Sequence, residues 1–250
     1  MLTRTLLKLI RSLDTRKGRR KEGLFVAEGP RLVGELTGHF RQRALFVTEA
    51  AAKEHPEWDA ETITEEEMAR ASLQQTPQGV LALFEIPTYE VDVTEACTSQ
   101  LCLALDGIQD PGNLGTIVRV ADWFGVKHIF CSDNTCDVWN PKTVQATMGG
   151  ISRVRVHYFN LPQLLASLPA EVPVYGTSLQ GDDLWTAPLT AQGIVVMGNE
   201  GNGMTEEVKA FCQRQLLIPP YPTNRQTIES LNVGMATGIV LAEFRRRLSS

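Results

Sequence analysis

Three segments of this 250-residue chain gather amide, carboxylate, hydroxyl and guanidinium side chains at turns that follow apolar runs. The first is Leu105-Asp106-Gly107-Ile108-Gln109-Asp110-Pro111-Gly112-Asn113, a turn-forming stretch leading into a helix that carries Arg119 about one and a half turns inside. A guanidinium leaning back over a loop of backbone donors suits an RNA phosphate or a ribose. The second is Met197-Gly198-Asn199-Glu200-Gly201-Asn202-Gly203-Met204-Thr205, with Thr205 placed as a helix N-cap. Its order, Gly-x-x-Gly-x-Gly, is not that of a dinucleotide fold, and no Gly-Lys-Ser/Thr follows for a triphosphate. The third runs from Ile218-Pro219-Pro220 to Glu229-Ser230-Leu231-Asn232-Val233, where Ser230 and Asn232 stand at a helix start. Each has an ordinary explanation when taken alone. A glycine-rich turn joins many strands to helices, Ser230 and Asn232 serve as caps, and Gly234, Gly238 and Ala242, four apart, allow tight helix packing.

The elements around these segments give them a common location. Leu101 to Leu105 is a continuous apolar run, as expected of a strand buried on both faces of a parallel sheet. Similar runs recur at His128–Cys131, Val154–Val156, Val172–Tyr175, Ile194–Met197 and Leu216–Ile218, mostly separated by helical patterns. They predict an α/β domain with a mainly parallel sheet and helices on both faces, and the three segments fall after strands, where ligands bind in such sheets. Upstream, Leu6, Leu9, Ile10 and Leu13 mark a helix, followed by the basic loop Arg16-Lys17-Gly18-Arg19-Arg20-Lys21. Strands are expected at Leu24–Val26, Ala44–Val47 and Val80–Phe84, with helices opening at Pro30 and at the capping box Thr64-x-x-Glu67. Residues 86–99 read as a linker, which divides the chain into a unit over 1–93 and a unit over 94–250.

Composition narrows the function classes. With 43% hydrophobic and 21% charged residues the chain is globular rather than disordered. Its net charge of −5 hides two opposed regions: residues 1–43 hold eleven Lys/Arg against four Asp/Glu, and residues 44–93 hold two against eleven. The basic cluster Arg16, Lys17, Arg19, Arg20 and Lys21 is therefore the candidate RNA-phosphate site. Five cysteines, an odd number, fit a reduced compartment. Cys97/Cys102 and Cys131/Cys136 share a Cys-x4-Cys spacing within reach of metal ligation, but Cys102 sits in an apolar run where buried free cysteine is common, so no metal is expected. The start Met1–Leu9 lacks a secretory pattern and Val233–Leu241 is too short and interrupted to cross a bilayer, so the expectation is a cytoplasmic protein without a membrane span.

Taken together, the Asn113-x5-Arg119 loop, the Gly198-Asn199-Glu200-Gly201 turn and the Ile218-Pro219 … Glu229-Ser230-Leu231-Asn232-Val233 helix start resemble, in order and separation, the three motifs of the SpoU (TrmH-like) branch of the SPOUT methyltransferases. The likeness covers residues 101–247. Lys8 to Leu13 and Glu22 to Gly29 also resemble that family's ribosomal-protein-like RNA substrate-binding domain. The resemblance implies a trefoil-knotted domain working as a homodimer, with S-adenosylmethionine held by Met197, Gly198, Asn199, Gly201, Ile218, Pro219 and Leu231. It further implies that Asn113, Arg119, Glu200, Ser230 and Asn232 form the catalytic face toward a ribose 2′-hydroxyl of a structured RNA, ribosomal or transfer, with the substrate-binding domain favouring ribosomal RNA. One departure stands out: Tyr221 to Ile228 lengthens the family's short loop and lacks its glycine.

A guanidinium presents only donors and no acceptor, so Arg119 is expected to position the hydroxyl and stabilise the developing alkoxide rather than accept a proton, with Asn113 and Ser230 beside it. The rival readings are a non-catalytic RNA-binding protein of the same fold and an RNA base methyltransferase. A nicotinamide oxidoreductase is disfavoured by the missing fingerprint.

Overall fold

The computed structural model describes residues 2–222 and 230–248. In chain order the elements are α1 (Arg4–Ser12), α2 (Arg16–Glu22), β1 (Leu24–Glu28), α3 (Pro30–Leu36), β2 (Gln42–Val47), α4 (Glu49–Glu54), β3 (Glu61–Thr62), α5 (Glu65–Ala71) and β4 (Val80–Glu85). There follow α6 (Val93–Ser99), β5 (Leu101–Asp106), α7 (Pro111–Trp123), β6 (His128–Ser132), α8 (Pro141–Ala146), β7 (Arg155–Phe159), α9 (Leu161–Ser167), β8 (Val174–Asp183), β9 (Gly193–Gly198), α10 (Glu206–Lys209), β10 (Arg214–Leu217) and α11 (Val233–Leu248). They form two compact units, one of Met1–Thr88 with Asp137–Ser152 and one of Tyr89–Cys136 with Arg153–Ser250.

The first unit has a four-stranded sheet in the order β1-β4-β2-β3, antiparallel at β1/β4 and β4/β2 and parallel at β2/β3. Ile10, Leu13, Val26, Phe46, Met68 and Leu81 are among the side chains of its core. The stretch 137–152 joins this unit through Trp139, whose ring lies 4.7 Å from that of Phe25 and 5.9 Å from that of Phe40, and through α8 against β1. The basic stretch expected as a loop is instead the helix α2. Thr15 caps it by accepting from the Gly18 amide at 3.1 Å, and Gly23, at φ +64°, ends it. Arg19 departs furthest from the expectation. It is 2% exposed, bonds Asp137 at 2.6 Å and donates to the carbonyls of Leu13 and Asp14, so its guanidinium is committed inside the unit. A buried cation needs such partners, and none of these donors is left for a phosphate.

The second unit has a six-stranded, wholly parallel sheet in the order β10-β8-β9-β5-β6-β7. Cys102 and Ala104 of β5 face Ala96 and Cys97 of α6 and Leu161, Leu164 and Leu165 of α9 in one core. Strand alternation turns Leu101, Leu103 and Leu105, also buried, to the other face. Part of the expected linker is thus the helix α6, capped by Asp92 and packed through Val93, Ala96 and Cys97. From β5 the chain builds outward through β6 and β7, then returns to lay β8, β9 and β10 on the opposite side, so the order reverses between β5 and β9. Helix α11 packs along α7, where Gly234 sits so close that a Cβ there would lie 2.8 Å from the Thr116 methyl. The recurrence of small residues in α11 is accounted for by that packing. Among the described residues no helix is long and apolar enough to cross a membrane.

Candidate active site

The polar segments converge where the sheet reverses direction, at the C-terminal ends of β5 and β9. The strands end in register, Asp106 opposite Gly198, and the loops leaving them are tied together: the Asn199 side-chain amide donates to the Gly107 carbonyl at 2.7 Å. Beyond β9 the chain closes a small ring in which Asn199 and Gly203 exchange backbone hydrogen bonds, both at 2.9 Å, while Asn199 Oδ1 accepts from the amides of Gly201 and Asn202. Asn199 is therefore a strap that shapes the turn. Asp106 holds its far end, its Oδ2 accepting from the Thr205 amide at 2.7 Å and hydroxyl at 2.8 Å. A side chain on Gly198 cannot be accommodated, since a Cβ would lie 2.3 Å from the Met204 nitrogen.

On this frame Asn113, Glu200 and Asn232 meet. Asp110 caps α7 by accepting from the Asn113 amide at 2.8 Å, and Asn232 caps α11 by accepting from Gly234 and Met235. These caps place both side chains beside the turn, where the Asn113 side-chain amide donates to Glu200 Oε1 at 2.9 Å and Asn232 donates to Asn113 Oδ1 at 2.8 Å. Every polar atom of the Asn113 side chain that can fix its orientation is used, so the triad presents one definite arrangement of carboxylate and amides.

Next to the triad is a pocket of about 560 Å³, the size of ordinary small-molecule sites. Met197, Gly198, Asn199, Gly201, Ile218 and Leu231 line it, together with Ser230 and Glu200. Pro219 does not. One wall escaped the sequence reading: β10 pairs Gln215 with Gly176 and then Leu216 with Asp182, so residues 177–181 are bypassed, and Thr177, Ser178, Leu179 and Gln180 turn toward the pocket. No apolar periodicity marks that polar stretch. Nearby Cys212 is pushed up to about 11, by burial first and then by Asp106, so it is a thiol rather than a nucleophilic thiolate at neutral pH.

Two expected site residues stand apart from the triad. Ser230 is exposed on the pocket rim, and no hydrogen bond joins it to the triad among the described residues. Arg119 is exposed on α7 with no hydrogen bond or ion pair among the described residues. Six residues beyond Asn113, it points about 120° away around the helix axis. Of the lengthened loop, residues 223–229, including Glu229, lie outside the described residues. Among the described residues no group of three or more His, Cys, Asp or Glu side chains is arranged to hold a metal ion.

Residues 100–242 match the model of the SpoU rRNA methylase family. The chain belongs to that family. Residues 5–82 match the MRM3-like substrate binding domain. The chain is 31% identical over 245 residues, 94% of each partner, to the 23S rRNA (guanosine(2553)-2′-O)-methyltransferase RlmP of Bacillus subtilis. Among solved structures it superimposes on a TrmH-family protein from Porphyromonas gingivalis with a TM-score of 0.87 at 41% identity, covering 99% of both chains. It also matches an AdoMet-bound rRNA methyltransferase from Sinorhizobium meliloti with a TM-score of 0.82 at 29% identity, covering 100% of this chain and 97% of the other. The SpoU member described here is an S-adenosylmethionine-dependent methyltransferase, and its own residues fit that cofactor. The pocket combines the apolar surfaces of Met197, Ile218, Leu231 and Val233 with turn backbone at Gly198 and Gly201, the mixture required by an adenine ring and a charged amino-acid tail.

Proposed function

We propose that this chain methylates a ribose 2′-hydroxyl of ribosomal RNA. The observation that carries the reading is the hydrogen-bonded triad Asn232–Asn113–Glu200 beside the pocket. Bound S-adenosylmethionine supplies an electrophilic methyl on sulfonium. The chain's part is to hold a poor nucleophile in line, with its proton passing to solvent water as the methyl is taken, and to stabilise the charge that grows on its oxygen. Glu200 and Asn113 orient the hydroxyl, and the rim hydroxyl of Ser230 adds a donor. Met197, Gly198, Gly201, Ile218 and Leu231 hold the cofactor, Asn199 shapes its turn, and Pro219 flanks Ile218.

Arg119 supplies the fixed cation. It faces away from its own triad, so its role requires approach to the hydroxyl of a second copy, and we infer a homodimer. Trp123, on the same face of α7 and 85% exposed, and Met235 of α11, 63% exposed, provide apolar surface for that contact. The first unit holds the RNA. Lys17, Arg20 and Lys21 are exposed on α2 and reach phosphates, with half-buried Arg16 beside them. Ribosomal rather than transfer RNA is favoured because the relative from Bacillus subtilis is a 23S rRNA enzyme and spans the same length. Five free cysteines fit work in the reducing cytoplasm.

The test is methyl transfer from labelled cofactor to ribosomal and transfer RNA transcripts, with native mass measured in parallel. Label in ribosomal RNA from a dimeric protein is expected. Label confined to transfer RNA, or transfer by a monomer, rejects the corresponding part of the reading.

A further inference from the structure

On the far side of the Asn199–Gly203 turn lies a second, smaller cleft of about 130 Å³, bounded by Gly107, Gln109, Asn134, Asn199 and Asn202. Asn199, Asn202, Gly203 and Met204 line both this cleft and the cofactor pocket, so the two are separated by the turn that carries Glu200. A hydrogen-bonded path joins the cleft to the triad. Asn199 Nδ2, bonded to the Gly107 carbonyl at 2.7 Å, also lies 3.4 Å from Glu200 Oε2.

The cleft is rich in amides with unused capacity. Gln109 and Asn202 make no side-chain hydrogen bond among the described residues. Asn134 is held at one end only. Ser132 Oγ accepts from the Gly107 amide at 2.8 Å and donates to Asn134 Oδ1 at 2.5 Å, with Thr135 Oγ1 a further partner of the same hydroxyl at 3.0 Å. The Asn134 NH₂ group is thus the free end, and it lies 3.1 Å from where a Cβ on Gly107 would stand, at a position whose φ is +75°. The absent side chain leaves the Asn134 donor uncovered at the edge of the cleft.

We propose that this cleft seats the base of the nucleotide being methylated, with Asn134 donating to an acceptor on the base and Gln109 and Asn202 completing its edge. The inference rests on the proposed ribose methylation and adds its base specificity. Sequence-specific RNA recognition reads the splayed-out bases of single-stranded loops and bulges by their hydrogen-bonding edges. A ribose at the triad carries its base across the Glu200 turn into the cleft. A donor fixed by Ser132 favours a base with a carbonyl oxygen there, guanine or uracil. The exocyclic amino group of adenine or cytosine at that place would set donor against donor.

The experiment maps the nucleotide that the wild-type protein methylates in ribosomal RNA transcripts, then compares short transcripts carrying each of the four bases at that position. Guanine or uracil should be used at least about tenfold better in kcat/KM than adenine or cytosine, the effect of roughly one lost hydrogen bond with an unpaired donor left behind. Asn134→Asp replaces the NH₂ donor by oxygen in nearly the same space. It should lower use of the favoured base about tenfold, narrow or reverse the ratio, and leave cofactor affinity unchanged. Gln109→Ala, an exposed change that removes no hydrogen bond, should raise KM for RNA with cofactor affinity intact even if Asn134→Asp fails to fold. A preference for adenine or cytosine, equal use of all four bases, or wild-type base ratios in Asn134→Asp overturns the base-site assignment while ribose methylation stands. Failure of the wild-type protein to methylate any RNA overturns both.

Discussion

Replacing Asn113 with alanine removes the hub of the triad and nothing else. Asn113 receives one hydrogen bond from Asn232, at 2.8 Å, and gives one to Glu200, at 2.9 Å, both in water-accessible surroundings. Solvent can replace each partner, so the cost to folding should stay near 1 kcal/mol, the net worth of ordinary hydrogen bonds. The helix start survives, because Asp110 caps α7 through the backbone amide of residue 113. Catalysis should suffer far more. Glu200 loses the group that fixes Oε1, Asn232 loses its acceptor, and loss of one preorganised polar group typically lowers turnover ~100- to 1000-fold. Asn113 does not line the 560 Å³ pocket proposed for the cofactor, so cofactor affinity should remain within about threefold. The assay is single-turnover methyl transfer to a ribosomal RNA transcript, with calorimetry for the cofactor and a thermal melt for the fold. A rate within fivefold of wild type, or lost cofactor binding by a folded variant, would refute the role given to the triad.

Three further outcomes follow from other parts of the structure. Gly198→Val forces a side chain into a space where a Cβ is already 2.3 Å from the Met204 nitrogen; the turn must move, and calorimetry should show cofactor affinity lowered by ~100-fold or more, whereas unchanged affinity would place the cofactor elsewhere. Arg19→Ala leaves Asp137 without its buried partner and should cost about 3 kcal/mol or more in chemical denaturation, while neutralising Lys17, Arg20 and Lys21 should leave stability alone and flatten the salt dependence of RNA binding; the opposite pattern would reverse the roles assigned within α2. His157 is held down to about 4 by burial, then by His128, 3.2 Å away, and Arg155, and His128 is lowered by burial too. Above pH 6.5 these rings are neutral folded or unfolded. As pH falls from 6.5 toward 4 the unfolded chain takes up a proton that the fold refuses, so stability should drop by at most about 3 kcal/mol for His157. Urea melts at pH 7 and pH 4.5 should show this fall, reduced in His157→Gln; an identical slope in the variant would contradict it.

What the sequence disclosed is what local chemistry encodes. The apolar runs of β5 and β9 mark buried parallel strands, and Asp110, Thr205 and Asn232 announce helix starts that the structure contains, so the triad was visible as three segments although not as one hydrogen-bonded group. What it concealed depends on contacts distant in the chain. Nothing in Arg16-Lys17-Gly18-Arg19-Arg20-Lys21 has apolar periodicity, and Arg19 is buried only because Asp137, 118 residues later, returns to meet it. The same return, driven by Trp139 against Phe25 and Phe40, moves 137–152 into the first unit, which no composition shift signals. The bypassed stretch 177–181 becomes a pocket wall through a shift in strand register, and Asn134 gains meaning only from the Ser132 hydroxyl that fixes one end of it.

The most direct test of the account is to incubate ribosomal RNA transcripts with the protein and S-adenosylmethionine and to locate the new methyl group by ribose-methylation mapping and nucleoside mass spectrometry. The account predicts a 2′-O-methylated nucleotide at a single position, formed ~100- to 1000-fold more slowly when Asn113→Ala replaces the wild-type chain. A methyl group on a base, or no methyl group on ribosomal RNA under conditions where the protein binds its cofactor, would contradict it.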